Sequence, residues 1–304
     1  MIRYASICLL VVFVIPSDTA AQSCTGNGVA VQVLGSGGPA IKGERASASY
    51  LVWVDGQAKV LVDMGGGAFL RFGQSRANFA DLALAAVSHL HPDHISDLPA
   101  LLWAGRNLRT QPLRIVGPSG NDAAPAFSTF LSRLFDERNG AFQVLGSTMN
   151  VTQGDVQSFR LDPRDADVTK TEPLTVFDEQ GLTVTAIGIP HANIPTLAYR
   201  VRTRGVSAVF SSDQNGTNPK FVEFAKGADV LVMHLAIAAA ASSPLHASPA
   251  VVGGIAHDAS AGRLIVSHIG QFDLEPAIAE LKKAYTGPLN IGADLQCTVV
   301  QSVK

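Results

Sequence analysis

The sequence predicts an α/β protein in which a mixed sheet, or a pair of sheets, is covered by helices. Three observations point there. The 304-residue chain is 47% hydrophobic and 16% charged, which suits a large core and is the opposite of a disordered composition. Short β-type runs flank the dipeptides Asp55-Gly56 and Gln180-Gly181, the signature of two-residue hairpins. Other apolar runs stop abruptly and pass into helical spacing, as strand–helix units do. Hairpins and strand–helix units in one chain call for mixed sheets under helical cover. The formal net charge of −2 lacks the basic excess that releases counterions from nucleic acid, so no nucleic-acid partner is expected.

Residues 1–21 read as a secretory leader. Arg3 gives a positive start, Ile7–Ile15 is an unbroken apolar run ended by Pro16, and Thr19 and Ala21 suit a cleavage site before Gln22. The run is shorter than the ~20 apolar residues that span a membrane. The protein is therefore expected to be secreted or periplasmic, with no stable membrane insertion after cleavage. Residues 22–304 are expected to form a single domain. Cys8 leaves with the leader. Cys24 and Cys297 remain near opposite ends, either bridged, as an oxidising compartment allows, or as two thiols that never meet.

Strands are expected at Val29–Leu34, Ser49–Val54 and Ala58–Val62. Leu82, Leu84 and Val87 carry the run from Ala80 to Ser88 into a strand that stops at His89. Ile95, Leu98, Leu101 and Leu102 then set a helix over 95–108. Leu113–Val116 is a short strand, and Phe127, Phe130, Leu131, Leu134 and Phe135 give an apolar face to a helix over 125–135. Residues 144–172 look polar and irregular. Further strands are expected at 174–176, 182–187, 198–201, 208–211 and 229–233. The chain finishes with a helix over 249–257, a strand over 264–267 and an amphipathic helix over 275–285.

The chemistry concentrates in Ser88-His89-Leu90-His91-Pro92-Asp93-His94. Three imidazoles and a carboxylate sit between a strand and a helix, the ligand types that zinc favours and that iron and manganese accept. His191, Asp213 and His268 each end another apolar run. The ends of strands are where ligands gather in α/β sheets.

This pattern resembles the metallo-β-lactamase superfamily, whose motif is H-x-H-x-D-H, and most of all the branch of RNase Z, related phosphodiesterases and arylsulfatases. Leu34–Pro39, Leu61–Gly67, Asp97–Leu102 and Val116–Pro118 look like further segments of that branch. The resemblance implies an αββα sandwich, two mixed sheets flanked by helices, with metals at one edge. It assigns His89, His91 and His191 to a first metal, and Asp93, His94 and His268 to a second, with Asp213 bridging. Asp63 would fix the tautomer of a ligand histidine. Two divalent ions, zinc foremost with manganese or iron as alternatives, would hold a hydroxide that attacks an ester.

A leaving oxygen needs a proton. His234 and His246 match family segments and are the candidate donors, and Asp93 is counted with them as catalytic. Leu235 stands where RNase Z has Glu, so His234 is either a donor or a core histidine. His257, beside Asp258, reads as a surface residue. Only 22 positions separate His191 from Asp213, leaving no room for the long tRNA arm of RNase Z. Arg200, Arg202 and Arg204 on that stretch read as a solvated strand face. The expected substrate is a small-molecule ester, with a phosphodiester first, a sulfate ester next and a lactone or β-lactam third. A homodimer is allowed for. A non-catalytic metal-binding protein is the rival reading. Phe127, Phe130 and Phe142 are candidate pocket walls, or plain core.

Overall fold

The computed structural model describes residues 24–41, 43–149 and 159–302. The expected leader, residues 1–21, lies outside the described residues. Two seven-stranded sheets form a sandwich. The first contains β1 (Val29–Gly35), β2 (Ser49–Val54), β3 (Gln57–Val62), β4 (Leu84–Ala86), β5 (Leu113–Pro118), β6 (Leu161–Ala166) and β14 (Cys297–Val300), in the order β14-β1-β2-β3-β4-β5-β6. The second contains β7 (Leu174–Glu179), β8 (Leu182–Gly188), β9 (Leu197–Thr203), β10 (Val206–Phe210), β11 (Val230–His234), β12 (Leu264–Ser267) and β13 (Leu289–Ile291), in the order β13-β12-β11-β10-β9-β8-β7. Each sheet is antiparallel toward one edge and parallel toward the other.

The seven α-helices among the described residues are α1 (Ala68–Gln74), α2 (Pro92–Ile95), α3 (Leu98–Gly105), α4 (Phe127–Phe135), α5 (Pro219–Ala225), α6 (Pro249–Asp258) and α7 (Leu274–Lys282). They cover the outer faces. One core lies between the sheets, built from Val31, Tyr50, Val60, Tyr199, Phe210 and Val232 among others. A second packs the first sheet against α1, α3 and α4, and a third packs the other sheet against α5, α6 and α7. Burial on both faces explains why the central strands read as continuous apolar runs rather than alternating ones.

Several expectations shift. The helix expected over 95–108 is α3, shortened at both ends to Leu98–Gly105, and Ile95 belongs instead to the separate one-turn α2. Pro99 sits in the first turn of α3, where a missing N–H costs nothing, and it bars a continuous helix through 95–99. The irregular stretch 144–172 holds a 3-10 turn at Gln143–Thr148 and the strand β6. Pro163 is tolerated in β6 because it is an edge strand. The elements α1, α5, β13 and β14 are short, and no expected element covers them. Arg200 is buried, and it donates from Nη1 to the carbonyls of Phe224 and Lys226 and from Nη2 to Ser207 Oγ. It ties α5 to the sheet, so it does not belong to a solvated face. Phe127 is core, whereas Phe142 is exposed. Cys24 and Cys297 form a disulfide with Cα atoms 5.8 Å apart, which decides the alternative that the sequence left open.

Candidate metal centre

Every candidate residue leaves the carboxyl end of a strand or the loop just beyond it. Asp63 follows β3, Ser88 and His89 follow β4, and His91 caps α2, placing Asp93 and His94 in its first turn. His191 follows β8, Asp213 follows β10, His234 ends β11 and His268 follows β12. Sharp exits are needed to gather them. Asp63, Ala192, Ser212 and His268 all adopt left-handed backbone, with φ of 57°, 49°, 52° and 48°. Such conformations cost about 1–3 kcal/mol each for non-glycine residues and persist where the surroundings over-determine them.

The side chains converge in two groups that share one carboxylate. The possible ligand atoms of His89, His91, His191 and Asp213 lie within 4.8 Å of one another, and so do those of His94, Asp213, His234 and His268. Asp213 Oδ2 stands 3.6 Å from His94 Nε2, 3.7 Å from His191 Nε2 and 3.9 Å from His89 Nε2. Asp93 approaches the second group from its rim, with Oδ2 3.1 Å from His268 Nε2 and 3.7 Å from His94 Nε2.

The hydrogen bonds set the tautomers. Asp63 Oδ1 accepts from Ser88 N at 2.7 Å, and its Oδ2 accepts from Ser88 Oγ and His94 Nδ1, each at 2.8 Å. With its proton committed to Asp63, Ser88 Oγ accepts from His89 Nδ1 at 3.0 Å. His191 Nδ1 donates to the Leu245 carbonyl at 2.8 Å. In all three rings Nδ1–H is committed to its neighbour, so Nε2 is the nitrogen turned inward, bare once the ring is in the neutral form that ligates.

A cation fits this donor set. His89 Nε2 faces His91 Nδ1 at 3.0 Å, and His191 Nε2 faces the same atom at 3.3 Å. His94 Nε2 and His268 Nδ1 are buried without a hydrogen-bond partner. Bare imidazole nitrogens and carboxylates at this density are metal-ligand chemistry. Burial, then the neighbouring His94, holds His89 well below the usual histidine range, which keeps it in the neutral form that ligates. Burial opposes a charge on His94, yet Asp63 and Asp213 outweigh it and hold His94 well above that range. Burial likewise opposes the charge on Asp213, yet His268 and His94 hold it well below the usual carboxylate range.

The two candidate donors differ. His234 is buried and both its nitrogens are engaged. Nδ1 donates to Asp213 Oδ1 at 2.6 Å, and Nε2 lies 3.0 Å from the Tyr50 hydroxyl. His246 is 17% exposed at the side chain, with Nδ1 3.9 Å from Asp213 Oδ2. Its loop is clamped: the Pro244 carbonyl accepts from Ala192 N and Asn215 Nδ2, and Ala247 N donates to Gln214 at 2.6 Å. His257 is exposed and bonded to Asp258, as expected. Sequence reasoning missed Tyr50, Ser267 and the Leu245 carbonyl. Ser88 was visible in the motif, but no pattern betrays a hydroxyl that acts from across the sandwich.

Comparisons with known proteins agree with this geometry. Residues 59–269 match the family described as Beta-lactamase superfamily domain. A Ribonuclease Z of Mycobacterium bovis is 26% identical over 294 residues, covering 87% of this chain and 96% of that protein. A Ribonuclease Z of Mycobacterium marinum is 30% identical over 210 residues, covering 67% of this chain and 69% of that protein. The crystal structure of a metallo-β-lactamase fold protein from Bacillus subtilis superposes with a TM-score of 0.67 at 20% identity, covering 89% of this chain and 98% of that one.

These relatives overturn one expectation. Proteins named Ribonuclease Z act on RNA, so neither the exclusion of nucleic acid nor the small-molecule ester substrate stands. A net charge of −2 does not exclude such a substrate, because bound metals would supply positive charge at a reacting phosphate. A net charge summed over the chain does not register that. The 22-position gap holds the β9–β10 hairpin; it removes an arm and leaves the centre intact. The chain belongs to the metallo-β-lactamase superfamily, in its Ribonuclease Z-like branch, and is a metal-dependent hydrolase of ester bonds.

Proposed function

We propose that this chain is an exported dinuclear hydrolase that cleaves phosphodiester bonds in RNA. The observation that carries the reading is the pair of ligand groups sharing Asp213. His89, His91 and His191 would hold one ion, His94, His268 and Asp93 the other, and Asp213 both. When bound, two divalent ions, zinc by donor type, supply an acidified water and positive charge beside the phosphoryl oxygens. Asp63, Ser88 and the Leu245 carbonyl keep the imidazoles aimed.

His246 is assigned the proton for the leaving oxygen, because its Nδ1 is buried without a partner and its loop is held still. Burial pushes His246 down to about 4, so it is neutral in the free protein. An anionic phosphodiester beside it favours the protonated, donating form. The names of the relatives support RNA as substrate. The apolar run at 7–15 and the Cys24–Cys297 disulfide support export, since such bonds persist in oxidising compartments.

The test is turnover of an RNA bearing a 3′ extension, and of bis(p-nitrophenyl) phosphate, by metal-loaded protein of known metal content. Two metals per chain and hydrolysis that Asp213→Ala abolishes are expected. Two bound metals with no cleavage of either substrate would remove the phosphodiester reading. Secreted protein beginning at Gln22 on N-terminal sequencing is the expected sign of export. Full-length protein retained in the cytoplasm would overturn it.

A further inference from the structure

We propose that Tyr50 and His234 form a relay that aims the Asp213 carboxylate, making both of them positioning residues. The inference rests on the metal centre proposed above and adds residues that no ligand motif contains.

Three observations carry it. First, His234 has no nitrogen to offer. Its Nδ1–H is committed to Asp213 Oδ1 at 2.6 Å, so Nε2 must accept, and the Tyr50 hydroxyl stands there at 3.0 Å. A ring with both nitrogens occupied by protein is neither a ligand nor a ready proton donor. Second, the bond to Oδ1 fixes the rotation of the carboxylate. Oδ2 is thereby held toward His94, His191 and His89, the imidazoles of both groups. Third, Tyr50 is itself immobilised. It is 1% exposed, lies on β2 in the opposite sheet, packs its ring 5.5 Å from that of Phe210 and reaches Ser267 Oγ at 3.0 Å. Burial raises its phenol far above the usual range, so the hydroxyl keeps its proton. Leu235, the neighbour of His234, offers no polar side chain that could do this work. The relay therefore couples the first sheet, through one hydroxyl, to the strand ends of the second.

The experiment is chelator competition on the zinc-loaded full chain, counting metal per chain, for wild type, Tyr50→Phe, His234→Ala and His234→Asn. The Asn amide nitrogen takes the place of Nδ1 and keeps the bond to Asp213. Tyr50→Phe and His234→Ala should hold metal about 10–100-fold more weakly, the usual effect of losing a partner of a ligand. His234→Asn should stay within about threefold of wild type, and metal-free Tyr50→Phe should melt within a few degrees of it. His234→Asn losing metal as readily as His234→Ala would make His234 a ligand and overturn the relay. Wild type holding two metals, with Tyr50→Phe holding them equally tightly, overturns the relay alone. A wild-type chain that takes up no metal overturns the centre as well.

Discussion

His89, His94 and His191 each commit Nδ1 to a neighbour and present Nε2 to the centre, so residues that never touch a substrate set its chemistry. Asp63 anchors two of those rings at once, His94 directly at Nδ1 and His89 through Ser88. Asp63→Asn should lower metal affinity about 10–100-fold, read by chelator titration, because the amide donates where the carboxylate accepts. His246→Ala should lower kcat by about 10²–10⁴ with metal content and KM unchanged, the signature of a lost proton donor. Titration gives a third residue-scale prediction, for the metal-free protein. Burial holds His234 down at about 3 and His246 at about 4. Below their unfolded value of about 6.5 the unfolded chain binds more protons, so stability falls as pH drops from 6.5. His94 is raised, so its contribution is full below 6.5 and is lost as pH climbs through its folded value. Melting temperature should peak near pH 6.5. Stabilisation by zinc should grow above that pH, since binding must release the His94 proton.

Elements deliver these residues by close approach. The loop after β3 passes directly beneath α2, with Met64 N donating to the His94 carbonyl at 2.8 Å. A Cβ on Gly65 would lie 2.0 Å from the Asp93 carbonyl oxygen. Gly65→Ala must therefore push α2 and its ligands outward. It should cost about 1–3 kcal/mol of stability by denaturant unfolding and loosen metal retention. Unchanged metal affinity would show that α2 can move without carrying Asp93 and His94 off their targets. The same reasoning explains the divided helix: α2 is four residues long because its purpose is to turn Asp93 and His94 into the centre, and α3 then starts afresh.

At the scale of the whole molecule, the disulfide joins residues 273 positions apart and ties β14 to the segment entering β1. Removing it with Cys24→Ser and Cys297→Ser should cost about 2–5 kcal/mol, measured by reversible unfolding. Neither cysteine belongs to either group of candidate ligands, so zinc stoichiometry should be unaltered. Because each sheet carries part of the centre, global unfolding and metal release should coincide in one transition.

The sequence by itself determined the fold class, most strand positions and most of the histidines and carboxylates that the structure gathers at one edge. These are local properties: apolar runs long enough to be buried on both faces, turn dipeptides, and imidazoles placed where runs end. It showed Cys24 and Cys297 without showing that they meet, and His234 without its partners. Tertiary structure alone decided those points, because they depend on how two sheets distant in sequence face each other. Tyr50 stands 184 positions from His234, and only sheet packing brings its hydroxyl to that ring. The edge strands β6, β13 and β14 were hidden for a related reason: β6 is polar and holds a proline, and β13 and β14 are only three and four residues long, too short to make a pattern. The proposed RNA substrate would escape the composition for a different physical reason, since total charge records the surface whereas a reacting phosphate would meet only the centre.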